Sequence, residues 1–176
     1  HEAVDVTASD LLASMDDNGI DRALVAALPV GPDDDAARVK SINDYVRRQV
    51  RQAPHRLAAF CTVNPLDPTA PDQLRRCVED LGFRGLKVHG SIHRMAVDDE
   101  RMYPLFAVMQ SFRLPVLMHS GGMGVRPYGD DFTRVHRFDA VANAFPDMPL
   151  ILGHAGRMDH AMTAELLRKH PQVYAD

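Results

Sequence analysis

Cysteine and tryptophan are scarce in this chain of 176 residues, which contains two cysteines and no tryptophan. Cys61 and Cys77 lack the spacing of a metal-binding pair, and they fall in a strand-like and a helix-like segment. Neither a disulfide framework nor a cysteine-based zinc site is therefore expected. We predict two buried free thiols instead.

Long apolar runs and an excess of positive charge are also missing. The longest uncharged apolar stretch, residues 23–30, is far shorter than the roughly 20 residues that a membrane-spanning helix needs. The opening residues do not have the pattern of a signal peptide, and we expect none. The net charge of −4 gives no electrostatic reason to expect a nucleic acid or an anionic membrane as partner. We expect a cytoplasmic protein that acts on a small molecule, and we leave a homo-oligomer open.

The composition that remains is that of one globular domain. Hydrophobic residues make up 45% and charged residues 25% of the chain, which are ordinary values for a folded protein. The sequence begins at His1 without an initiator methionine, and its last letters, "QVYAD", resemble the opening of a strand. We therefore expect a piece of a longer chain.

Apolar strand-like runs alternate with amphipathic helical segments along the whole chain, with a repeat of roughly 25 to 35 residues. The predicted strands are "RALVAALPV", "RLAAFCTVNP", "FRGLKVHG", "LPVLMHSG", "MPLILGHAG" and "QVYAD". The predicted helices cover residues 7–18, 36–53, 71–81, 98–112, 133–145 and 159–169, the second of them preceded by three aspartates at 33–35. Continuous apolar strands that alternate with helices indicate a parallel sheet covered by helices.

The predicted fold is α/β, of the (β/α)8 barrel type, as a single domain over residues 1–176. Such a barrel needs eight strands, and the six present correspond to its strands two to seven, without the first and the last. A doubly wound open sheet is the alternative, but no strand is followed by the phosphate-binding pattern G-x-G-x-x-G. The "GGMG" at residues 121–124 opens a long loop rather than a helix.

Two histidines end neighbouring apolar strands. His119 closes "LPVLMH" and His154 closes "MPLILGH", each with a glycine two residues later. By strand alternation, His119 shares a face with Leu117, and His154 with Leu152. Consecutive parallel strands lie side by side in a barrel, so we expect both imidazoles to meet at the carboxyl-terminal mouth, where catalytic groups of this fold collect. Such a pair can hold a metal, move a proton, or divide the two tasks.

Further polar residues lie at the same mouth. Lys87 and His89 share one face of the preceding strand, where a buried polar pair costs free energy unless it is solvated, paired or used. We predict that His89 contacts the substrate. Arg126, after His119, and Arg157, three residues after His154, are placed to bind a substrate carboxylate through bidentate contacts.

These segments carry a family resemblance. "GFRGLKVHG", "ERMYPLFAVMQSFRLPVLMHSGG", "FPDMPLILGHAG" and "HPQVYAD" closely resemble the amidohydrolase superfamily, in the branch of metal-dependent hydrolases and decarboxylases that includes aminocarboxymuconate semialdehyde decarboxylase. "MDDNGIDRALV" and "TVNPLDP" resemble early segments of that branch. The resemblance covers nearly the whole chain.

The resemblance implies roles for individual residues. It implies that His119 is a ligand of one divalent metal, zinc first and manganese second, and that His154 is the catalytic base or a second ligand. Lys87 matches a lysine that some relatives carboxylate to bridge two metals. Two expected ligand groups are missing: no H-x-H pair occurs, and the aspartate of an eighth strand does not follow. Asp176 belongs to the seventh strand and does not replace it.

The resulting prediction is a metal-dependent hydrolase acting on a small carboxylic acid, ester, amide or lactone. The metal would polarise a substrate oxygen and lower the pKa of its bound water to about 7, while His154 handles the proton. Three alternatives stay open. These are a non-oxidative decarboxylase of the same branch, a degenerate barrel with a binding role, and a phosphate-binding barrel.

Overall fold

The computed structural model describes residues 7–122 and 130–176. Within them lie six strands: β1 (Ala23–Ala26), β2 (Leu57–Phe60), β3 (Leu86–Val88), β4 (Val116–His119), β5 (Leu150–Gly153) and β6 (Val173–Ala175). The helices are α1 (Ala8–Asp17), α2 (Ala36–Val50), α3 (Ala70–Glu79), α4 (Gly90–His93), α5 (Tyr103–Ser111), α6 (Phe138–Ala144) and α7 (His160–Lys169). The predicted alternation of strands and helices is confirmed.

Polar side chains begin the first two helices where the sequence places them. The Thr7 hydroxyl accepts a hydrogen bond from the Asp10 amide, and the Asp10 carboxylate accepts one from the Thr7 amide, which is a complete capping box. Asp35 caps α2 through the amide of Arg38. Both caps satisfy amide groups that have no partner inside the helix.

All paired strands are parallel, and their spatial order follows the sequence order. β1 pairs with β2, and β3, β4, β5 and β6 form a second group. A single bridge between Cys61 and Leu86 joins the two groups. A doubly wound sheet reverses its strand order at a switch point, and no such reversal occurs among the six described strands. The order is therefore that of a barrel wall, which stays open between β1 and β6.

The two faces of this wall differ in burial. One face carries the fully buried side chains under the helices, including Leu86, Val116 and Leu150. The other face is only partly covered: Lys87 and Leu117 are half-buried, and Tyr174 is 54% exposed. The second face is the inner side of the barrel wall, and it is less covered because the wall is not closed.

In two of the predicted helical segments the α-helix begins late, after a 3-10 turn, and one short helix was not predicted. The segment 98–112 starts with a 3-10 turn at Glu100–Met102 before α5, and 133–145 contains the 3-10 turn Val135–Arg137 before α6. Pro104, at the start of α5, has no amide hydrogen, so it cannot continue the helical hydrogen bonds of the preceding turn. The unpredicted α4 directly follows His89.

Cys61 and Cys77 are buried and free, as predicted. In residues 7–122 and 130–176, no helix combines the length and the apolar character needed to cross a bilayer.

Candidate active site

Three imidazole rings lie side by side at the carboxyl ends of β3, β4 and β5. The His89 and His119 rings are stacked, with centroids 4.0 Å apart and planes 13° apart. The His154 ring meets His119 edge-on, with a centroid separation of 4.8 Å and an interplanar angle of 67°. The predicted convergence of His119 and His154 is confirmed as geometry, and His89 joins them from the other side.

His119 reaches this position by strand alternation, as predicted, whereas His154 does not. Residues paired in a parallel sheet point to the same face, and the register pairs Leu117 with Ile151 and His119 with Gly153. The prediction that His154 shares a face with Leu152 would direct its ring toward the helices, where Leu152 is fully buried. That part of the prediction is wrong, because β5 ends at Gly153 and His154 lies beyond it.

A left-handed turn brings His154 back over the mouth of the barrel. Four consecutive residues have positive φ: His154 at 63°, Ala155 at 45°, Gly156 at 73° and Arg157 at 52°. Three of them are not glycine, and each such residue costs on the order of 1–3 kcal/mol unless its surroundings hold it. Backbone strain of this kind clusters at functional sites.

The turn is fixed by contacts from two strand ends. The buried Ser120 hydroxyl donates to the Gly153 carbonyl (2.6 Å) and accepts from the Gly156 amide (3.0 Å). The Asp176 carboxylate accepts from the His154 amide at 2.5 Å. The sequence offered a signal for Ser120, since it directly follows His119, but neither Ser120 nor Asp176 was predicted to act on His154.

Burial makes the two stacked histidines neutral at pH 7. It lowers the pKa of His119 to about 3 and that of His89 to about 4. The two other imidazoles and the cationic side chains of Lys87 and Arg157 also lower the pKa of His119. Neutral imidazole is the form that binds metals.

The donor atoms at this mouth fit a metal in part. His119 Nε2 and His89 Nδ1 are buried and have no hydrogen-bond partner within residues 7–122 and 130–176. In the described parts of the chain, however, no group of three or more His, Cys, Asp or Glu side chains is arranged to hold a metal ion. Stacked rings direct their lone pairs along parallel planes rather than to one point. His119 therefore offers one free donor atom, and tight zinc binding needs three or four.

The predicted cationic residues have different positions. Lys87 is half-buried on the open face of β3; burial lowers its pKa, and the charge of Asp176 acts in the opposite direction. Arg157 is exposed, and its Nη1 donates to the Gly122 carbonyl at 2.9 Å. Arg126 lies outside the described residues.

A fourth histidine, His93, lies deeper in the structure and was not predicted. It ends α4, is 1% exposed, and donates from Nδ1 to the Val30 carbonyl at 2.8 Å. Its Nε2 has no partner among the described residues. Burial lowers the pKa of His93 to about 4 from an ordinary value of 6.5.

We expect His93 to make the protein sensitive to acid. His93 binds a proton at a higher pH in the unfolded chain than in the folded chain. The contribution of neutral His93 to the free energy of unfolding is therefore complete above pH 6.5 and is lost as the pH falls toward 4. The two pKa values correspond to about 3 kcal/mol. Urea unfolding at several pH values measures this loss. Between pH 6.5 and pH 4, the free energy of unfolding of His93→Gln should fall by about 3 kcal/mol less than that of the wild type. Glutamine keeps a hydrogen-bond donor for the Val30 carbonyl. The exposed His55→Gln should behave as the wild type; equal curves for all three would contradict the prediction.

Comparisons with known proteins identify the family and the fold of the chain. The sequence profile of the amidohydrolase family matches residues 4–176. The chain belongs to the amidohydrolase family. Among its curated relatives, the gamma-resorcylate decarboxylase of Polaromonas sp. is 26% identical to this chain, and the aligned region covers 83% of the chain and 57% of the relative. The chain thus spans a little over half the length of that amidohydrolase relative.

Two solved structures have the same fold, with a lower sequence identity to this chain than the Polaromonas relative has. An uncharacterised TIM-barrel protein from Bordetella bronchiseptica matches with a TM-score of 0.73 and 21% identity. That match covers 95% of this amidohydrolase chain and 58% of the other chain. A dihydroxybenzoic acid decarboxylase from Polaromonas sp. has a TM-score of 0.67 and 20% identity, covering 94% and 65%. That structure holds manganese and the inhibitor 2-nitroresorcinol. The predicted barrel type and the family resemblance are both confirmed.

Proposed function

We propose that the full-length protein is a metal-dependent, non-oxidative decarboxylase of a hydroxylated aromatic carboxylic acid. The observation that carries the proposal is the cluster of three imidazole rings, of which His89 and His119 are neutral, with Lys87 and Arg157 close to it at the carboxyl ends of the strands. Cationic groups around neutral rings favour an anionic ligand such as a carboxylate. The decarboxylase relatives favour loss of that carboxylate over hydrolysis, which was our first prediction.

The residues of this chain would divide the work. Arg157, together with the predicted Arg126, would bind the substrate carboxylate, and Lys87 adds positive charge beneath it. His89, stacked on His119, forms one wall for an aromatic ring. His154 lies on the solvent side of the cluster with an exposed ring, which suits a group that exchanges protons with water.

The reaction balances with one proton. The bond between the ring carbon and the carboxylate carbon breaks, and carbon dioxide leaves. The electron pair of that bond stays on the ring carbon. That carbon takes a proton from His154, which regains one from water. The product is the corresponding phenol.

His119 would hold the metal through Nε2. The ligand roles of His154 and Lys87 stay predictions. The remaining ligands would come from parts of the full-length protein outside this sequence, and they need to include anionic groups because Lys87 and Arg157 repel a cation. A bound divalent ion supplies a positive charge that stabilises negative charge on substrate oxygens. The manganese in the Polaromonas structure makes manganese as good a candidate as the zinc we first expected.

A decarboxylation assay tests the proposal. Full-length protein supplied with manganese or zinc should convert γ-resorcylate to resorcinol with release of one carbon dioxide. 3,5-Dihydroxybenzoate, which lacks a hydroxyl beside the carboxylate, should react far more slowly because its ring carbon is harder to protonate. Hydrolysis of esters or lactones without decarboxylation would overturn the proposal in favour of a hydrolase. Metal and ligand binding without turnover of any acid tested would overturn it in favour of a binding protein.

A further inference from the structure

The loop after β4 lies against the backbone of the turn after β5, and that turn also packs against Thr163 of α7. A Cβ atom on Gly121 would lie 2.4 Å from the Gly156 carbonyl oxygen, and one on Gly156 would lie 2.2 Å from Thr163 Oγ1. Both glycines have positive φ, 76° and 73°. The loop that follows His119 therefore packs directly against the turn that carries His154.

Ser120 is a buried side chain that connects these two loops, beside the exposed Arg157, which donates to the Gly122 carbonyl. Ser120 is 0% exposed, and its hydroxyl uses both of its functions on the same turn, donating to the Gly153 carbonyl before His154 and accepting from the Gly156 amide after it. A buried hydroxyl that bridges two backbone groups of another segment fixes the distance between the segments. His119 precedes Ser120 by one residue, so the same bridge connects both rings.

We propose that Ser120 is a positioning residue that holds the His154 ring against His119 by fixing the left-handed turn 153–157. The inference rests on the proposed function only for its effect on turnover, because its structural part concerns two rings and one turn. The turn has three non-glycine residues with positive φ, a conformation that persists only when surrounding contacts enforce it. Without the Ser120 bridge, the turn is expected to relax and the His154 ring to leave His119.

The test compares Ser120→Ala with Ser120→Thr and Ser111→Ala in the full-length protein. Ser120→Thr keeps the hydroxyl. Ser111→Ala is the matched control, because its hydroxyl also donates to a backbone carbonyl, that of Val108, at the opposite end of β4. Hydrogen exchange is read at the Gly156 amide, and ring-to-ring nuclear Overhauser effects are read with ¹³C-labelled histidine. Neither readout needs turnover.

In Ser120→Ala, exchange at Gly156 should rise at least about tenfold and the His119–His154 contact should disappear, while the amides of β4 and β5 stay protected. With γ-resorcylate, kcat should fall roughly 10- to 100-fold with KM within about twofold, since a displacement of about 1 Å can cost a factor of that order. Ser120→Thr should restore the ring contact. If that variant does not fold, hydrogen exchange at the Gly156 amide in Ser120→Ala decides.

Unchanged exchange at the Gly156 amide together with an unchanged ring contact, or equal effects in Ser111→Ala, would overturn the inference. A wild-type protein that shows the ring contact but no decarboxylation would refute the proposed function and leave the positioning role standing.

Discussion

Replacing His119 with alanine in the full-length protein is expected to remove the bound divalent metal and to lower kcat/KM about 10³-fold or more. The reason is that His119 Nε2 is the free, buried donor atom of a neutral imidazole at the mouth of the barrel. In the described parts of the chain, no group of three or more His, Cys, Asp or Glu side chains is arranged to hold the ion in its place. Elemental analysis gives the metal content, and initial rates of γ-resorcylate consumption give the activity.

His55→Ala is the matched control for this experiment. His55 is exposed and lies in the turn before β2, at the opposite end of the strands from His119. It should keep full metal content and full activity. A His119→Ala protein that folds, as judged by circular dichroism, and that retains its metal and its rate would remove the proposed role of this residue.

Replacing Gly121 with alanine is expected to destabilise the protein by about 3 kcal/mol or more. Two costs add: a left-handed conformation for alanine, about 1–2 kcal/mol, and the displacement of backbone. The second arises because the new Cβ would lie 2.4 Å from the Gly156 carbonyl oxygen, which cannot rotate away as a side chain could. The midpoint of urea unfolding measures the loss, and the His154 turn should be displaced in the same variant.

Gly19→Ala separates the two costs. Gly19 has φ of 65°, but apart from its chain neighbours no described residue has an atom within 4 Å of its Cβ position. Its replacement should therefore show only the conformational cost, about 1–2 kcal/mol. The difference between the two variants is the cost of the close approach between the His119 and His154 loops. If both variants lose the same stability, that close approach does not contribute.

The comparison of Lys87, His89 and His119 shows why part of the site was predictable. Each lies on or directly beyond a strand, where side chains alternate with a period of two. Once the apolar runs are recognised as neighbouring parallel strands, their faces and their common end follow. The stacked pair of His89 and His119 is the product of that local rule.

His154 shows where the rule stops. Its ring reaches the cluster although strand alternation points it toward the helices, because the backbone turns left-handed immediately after Gly153. A positive φ at a histidine, an alanine and an arginine is not favoured by those residues themselves. It is imposed by distant contacts with Ser120, Gly121 and Asp176.

The alternation of strands and helices, the barrel-type order and the histidines at two strand ends were readable from the amino-acid sequence, because they follow from the hydrophobic period and from residue types that are near each other in the chain. The distances between the rings, the direction of the His154 ring and the neutral state that burial imposes on His89 and His119 arise only in the folded protein. Those properties depend on hydrogen bonds and close approaches between segments about 20 to 40 residues apart, such as Ser120 with Gly156 and His154 with Asp176, and no local pattern encodes them.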